Sequence, residues 1–101
     1  MDREQAARSL LDDARNDLDI TWEDARLDDK LLGILQRGMD YLDAAAGGAQ
    51  DYSAQGLARA LLLAYARYDL SGARNDFAPA YQAEILMLRM KQEALTYDAD
   101  V

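Results

Sequence analysis

The residues with the most chemical potential lie in one run, DLDITWEDARLDD, where six carboxylates fall between Asp17 and Asp29. Asp17, Asp19, Thr21, Glu23 and Asp28 take positions 1, 3, 5, 7 and 12 of a twelve-residue calcium loop. The match fails where that geometry is strict. Position 6 needs glycine for its sharp turn and holds Trp22; position 12 needs a bidentate glutamate and holds an aspartate. The adjacent pairs Asp12 with Asp13, Glu23 with Asp24, and Asp28 with Asp29 are no better suited to acid–base work or to magnesium. Successive helical side chains diverge by about 100°, so adjacency does not converge two carboxylates on one point. Acids near helix starts also complement the positive end of the macrodipole. A solvated face is the expectation for these residues.

Other chemistries lack their reagents. The chain has no cysteine and no histidine, which removes disulfides, thiolate metal sites and imidazole catalysis. Ser9, Ser53 and Ser71 have no histidine to activate them, and no Gly-rich phosphate loop occurs. No catalytic residue, cofactor or metal site is expected, and the protein is expected not to be an enzyme. Tyr41, Tyr65, Tyr68 and Tyr81 sit within helical segments without flanking basic clusters, so core or interface positions suit them better than base stacking.

What must carry these residues is one small domain, since 101 residues rarely support two cores. Half the residues are hydrophobic and 30 % are charged, a composition that folds. A domain of this size removes only about 60–68 % of its unfolded surface from water, so association would add burial. The net charge is −8. Asp12 to Asp29 holds eight acids against Arg15 and Arg26, and no stretch is basic enough to replace phosphate counterions. Specific nucleic-acid binding is therefore disfavoured. No run of about 18 apolar residues occurs, and the opening MDREQAARSL is charged where a secretory signal needs an apolar segment. The expected product is made in the cytoplasm, is not secreted and engages no membrane.

Helical periodicity dominates, and an all-α bundle of about four helices is predicted, with a short acidic joint between the first two. Arg3 to Leu18 aligns Ala7, Leu10, Leu11, Ala14 and Leu18. Asp19 to Leu27 is the joint, with Thr21 and Asp24 spaced as a capping box; Ile20 and Trp22 are the candidates to pack beneath it and fix the angle between the helices. Asp28 to Ala46 gathers Leu31, Leu32, Ile34, Leu35, Met39, Leu42, Ala45 and Ala46 on one half of the wheel, and Gly47 and Gly48 end it. The third helix, about Ser53 to Leu70, is apolar around most of its circumference and must be central or covered by another molecule. Asn75 or Asp76 is available to cap a fourth helix, Phe77 to about Leu95, with Pro79 in its first turn.

That fourth helix carries two apolar stripes. Phe77, Tyr81, Ile85, Leu88 and Leu95 form one; Ala83, Leu86, Met87, Met90 and Ala94 form the other. A helix needs one stripe to dock on its own core, so the second is a candidate intersubunit interface, and methionines suit a surface that adapts to its partner. Residues 96–101 lack periodicity and are expected to be a flexible tail that orders on a partner.

The runs LDITWEDARLDDKLLGILQRGMDYLDAAAG, Leu18 to Gly47, and LARALLLAYARYDLSGARNDFAPAYQAEILMLR, Leu57 to Arg89, resemble the head–tail connector (adaptor, or head-completion) proteins of tailed bacteriophages and their prophages. The most specific parts are LDITW, the run from Arg37 to Leu42 with Ala46–Gly47 after it, and the aromatic pattern Tyr65, Tyr68, Phe77, Tyr81. The resemblance implies a virion protein at the head–tail junction. Its subunits form a ring between the portal protein and the tail or stopper, and free monomers in solution are compatible with it. Asp17, Asp19, Glu23 and Asp24 are then candidates to face the channel, where negative charge keeps DNA from adhering. The alternative class is a small acidic helical interaction module, inhibitor- or antitoxin-like, that masks a basic partner.

Overall fold

The computed structural model describes residues 3–18 and 25–100, and all the secondary structure among them is helical. The helices are α1 (Arg3–Asp17), α2 (Ala25–Ala46), α3 (Leu57–Leu70), α4 (Arg74–Ala80) and α5 (Gln82–Asp100). The all-α class is as the periodicity predicts. The number is five among the described residues, one more than the four expected, because the last predicted helix is broken at Tyr81.

That break has a local cause. The helix starts earlier than its expected cap, with Ala73 at the N-cap, so Asn75 and Asp76 lie inside α4 and cap nothing. Pro79 then falls beyond the first turn, where it has no N–H for the ladder and its ring presses on the preceding turn. Tyr81 leaves helical geometry at φ −117° and ψ 25°. The chain still bonds across the bend, Tyr81 N–H to the Phe77 carbonyl at 3.0 Å and Ile85 N–H to the Tyr81 carbonyl at 2.9 Å. The result is a firm corner between α4 and α5.

α3 also starts later than its polar residues suggest. Ser53 spends its backbone N–H (2.9 Å) and hydroxyl (2.5 Å) on the Asp51 carboxylate, so it caps no helix, and α3 begins four residues on, behind Gly56. The same two bonds hold the Asp51 carboxyl below its ordinary range, the Ser53 hydroxyl contributing most. At the other end of the chain, α5 runs through Asp100, so the backbone of 96–100 is helical where a tail without periodicity was expected.

Two helix ends are set by glycine. Gly47 (φ 85°) and Gly72 (φ 76°) take the left-handed conformation that side-chain-bearing residues avoid. In each case the next N–H reaches back five residues, Gly48 to Asp43 at 3.0 Å and Ala73 to Tyr68 at 2.8 Å, which is the Schellman closure of orphan carbonyls.

Packing follows the stripes. Ala7, Leu10 and Ala14 of α1 are buried, as are Leu31, Leu32, Ile34, Leu35, Met39, Leu42 and Ala46 of α2. α3 touches each of the other four helices, as an element with so little polar circumference must. At Gly38 of α2 the missing side chain admits Leu62 and Tyr65 of α3. Around this core, Asp13 and Asp17 of α1 pair with Arg59 and Arg67 of α3, and Arg37 of α2 pairs with Asp69 at 3.1 Å. Asp43 is held by the Tyr52 hydroxyl (2.6 Å) and by the Gln50 N–H (3.0 Å), which fastens the α2–α3 connection to α2.

Candidate functional site

The molecule measures 49 × 30 × 18 Å. α5 is an outer helix, with one side on the body and one side open. Leu88 is buried and Ile85 partly so, against the α2 and α3 side. The amide of Gln92 accepts from Gln50 Nε2 at 2.9 Å and lies over Gly48, where a Cβ would stand 2.5 Å from it. One side of the helix is thus fixed.

The opposite side is bare. Leu86 is 55 % exposed, Met87 53 % and Met90 59 %, and Ala83 and Ala94 flank them in the open. These are the five residues of the second stripe, and the structure leaves them on one uncovered face. Leu95 differs from its sequence assignment to the inner stripe: it is 65 % exposed. Past Gln92 the helix outruns the body that covers its inner side.

Periodicity did not reveal a second feature, a recess of about 470 Å³ between α2, α3 and α4. Its walls include Tyr41, Tyr65 and Phe77, with Arg37, Asp40 and Arg74 among the polar residues. Tyr41 stacks on Tyr65 (centroids 5.9 Å apart, planes at 25°), and Phe77 meets Tyr65 edge-on at 5.4 Å. Tyr68 and Tyr81 complete the cluster around Phe77 at 5.9 and 5.1 Å. Of the tyrosines that the sequence placed in the core or an interface, Tyr65 is buried and Tyr41 is 38 % exposed.

The acidic candidates fare unevenly. Asp17 receives a hydrogen bond from Arg67 at 2.6 Å and lies on a groove of about 360 Å³ with Arg59, Tyr81 and Glu84. Asp19, Glu23 and Asp24, the packing candidates Ile20 and Trp22, and the proposed Thr21 cap lie outside the described residues. Among the described residues no three acidic side chains gather as metal ligands, and no helix is long and apolar enough to cross a membrane. No side-chain oxygen or nitrogen among them is buried without a partner. What the described surface offers is apolar contact area.

No protein-family model, curated protein or solved structure matches this chain.

Proposed function

We propose that this chain is a structural virion subunit, a ring-forming head–tail connector that joins the portal of a filled bacteriophage capsid to the tail or its stopper. The observation that supports assembly is the outward face of α5, where Leu86, Met87 and Met90 are each more than half exposed. The phage assignment is supported by the resemblance of Leu18–Gly47 and Leu57–Arg89 to such connectors. The role is architectural and needs no catalytic group. In a cyclic ring one patch meets a different patch on the next copy, and rotation closes the circle.

Magnitudes say what such a ring requires. Burying a Leu or Met side chain completely is worth about 1.5–3 kcal/mol. Covering the open part of Leu86, Met87, Met90 and Leu95 therefore contributes about 3.5–7 kcal/mol in all. Association costs about 4–15 kcal/mol in lost freedom. The α5 face alone reaches only the lower part of that range, so it must seat against a surface that contributes burial of its own. Some of the acids Asp17, Asp19, Glu23 and Asp24 are proposed to face the channel and repel passing DNA; a ring structure with all of them on the outer rim would refute that placement.

Light scattering over a concentration series, with electron microscopy of the heaviest species, tests the reading. Closed rings of more than two copies are expected, and Leu86→Glu with Met90→Glu should hold the chain as a folded monomer. A monomer or dimer at every concentration, with portal protein added as well as without it, overturns the ring and favours the acidic inhibitor-like module.

A further inference from the structure

We infer that the recess between α2, α3 and α4 is the socket for the α5 face of a second copy of this chain, with Met87 and Met90 against the exposed part of Tyr41 and against Ala78, and Glu93 against Arg74. The inference deepens the ring reading and rests on it.

The recess offers Tyr41 and Ala78 as exposed apolar contacts, rimmed by Arg37, Asp40, Arg74 and Asn75, with Tyr65 and Phe77 buried beneath. Its rings lock one another by stacking and edge contacts, yet Tyr41 still presents part of its face to water. Its volume of about 470 Å³ has room for more than one side chain. Methionine sulfur favours the edges of aromatic rings, and its unbranched chain fits an irregular cavity. Met87 and Met90 are the exposed methionines among the described residues, and they stand three apart on one helix face.

Charge narrows the occupant to a copy of α5. Arg74, on the recess, makes no hydrogen bond or ion pair among the described residues. Glu93 follows Met90 by three positions, so it borders the apolar stripe. Its bond to Arg89, 3.1 Å with both side chains 63 % exposed, is a surface pair of the kind that contributes little and exchanges readily. Between Gln82 and Leu95 two acids are balanced by two bases in a chain of net charge −8. Copies that repel one another elsewhere meet least repulsion along this face. The donor face and the recess are different patches of one chain, which is the heterologous contact a ring needs.

The chain has no cysteine, so a designed pair reports cleanly. Ala78→Cys with Ala94→Cys, oxidised under assembling conditions, is expected to give a ladder of covalent multimers, and Ala94→Cys alone none. Arg74→Glu and Glu93→Arg should each raise the concentration for half-assembly about fivefold. The chain carrying both should return to within about twofold of the natural protein. Dimers from Ala94→Cys alone would mean that α5 pairs with α5, and they overturn the inference. So does an assembling chain in which the double charge exchange restores nothing, a result that leaves the ring itself intact. A natural chain that never exceeds a dimer, even with portal protein added, sinks both.

Discussion

Two glycines of α2 should respond to the same substitution with opposite signs. Gly33 and Gly38 are both inside the helix, where glycine costs about 0.8–1 kcal/mol relative to alanine. A Cβ at Gly33 would meet only Arg37 Nη1, at 3.7 Å, which is ordinary contact. Gly33→Ala should therefore recover about 0.5–1 kcal/mol of stability. A Cβ at Gly38 would stand 2.7 Å from Leu62 Cδ1 and 2.8 Å from Tyr65 Cδ1. The Leu62 methyl can swing, but the Tyr65 ring is held between Tyr41 and Phe77. Relief must come from separating α2 and α3, and overpacking of this kind costs about 1–3 kcal/mol. After the gain in helix propensity, Gly38→Ala should be less stable than the natural chain by up to about 2 kcal/mol. At about 4–8 °C per kcal/mol for a domain of this size, the two variants should melt on opposite sides of the natural chain and be clearly resolved. Urea denaturation followed by circular dichroism, at a concentration where every variant is monomeric, removes the contribution of assembly. A Gly38→Ala chain as stable as Gly33→Ala would refute the close α2–α3 crossing.

Tyr52→Phe removes a hydroxyl that donates to the part-buried Asp43 at 2.6 Å and should cost about 1–2 kcal/mol by the same assay. Phe77→Leu keeps the burial of a side chain only 1 % exposed but removes its ring contacts with Tyr41, Tyr65, Tyr68 and Tyr81; a loss of about 1–3 kcal/mol is expected in urea, with a changed near-ultraviolet spectrum. The Asp51 carboxyl should titrate by NMR below its ordinary 3.8, and Ser53→Ala should move it back up. Because the folded value is the depressed one, any stability from this group is present above 3.8 and lost as pH falls through the folded value.

The helices were legible wherever one face was buried. The α2 stripe from Leu31 to Ala46 lies in the core as its spacing predicts, and Gly47 ends the helix for the reason glycine usually does. Boundaries failed where a polar residue had two available partners. Ser53 bonds Asp51 rather than capping α3, and Asn75 and Asp76 were read as caps when α4 starts ahead of them. The exposed face of α5 was visible as an excess of apolar positions, because one docking side cannot use two stripes. The aromatic recess was not, since Tyr41, Tyr65 and Phe77 come from three helices whose crossing angles no single periodicity encodes. The overhang at Leu95 was hidden for a similar reason: residue spacing gives the face of a helix but not where its neighbour stops.

Oxidation of methionine by dilute peroxide, read residue by residue by mass spectrometry in dilute and in assembled samples, tests most directly whether other copies cover α5. Met39 is 1 % exposed and serves as an internal control that stays reduced in both. In the dilute chain Met87 and Met90 should oxidise readily; in the assembled sample both should be shielded almost as well as Met39. Equal oxidation of Met87 and Met90 in the two samples would contradict the claim that this face is the contact between subunits.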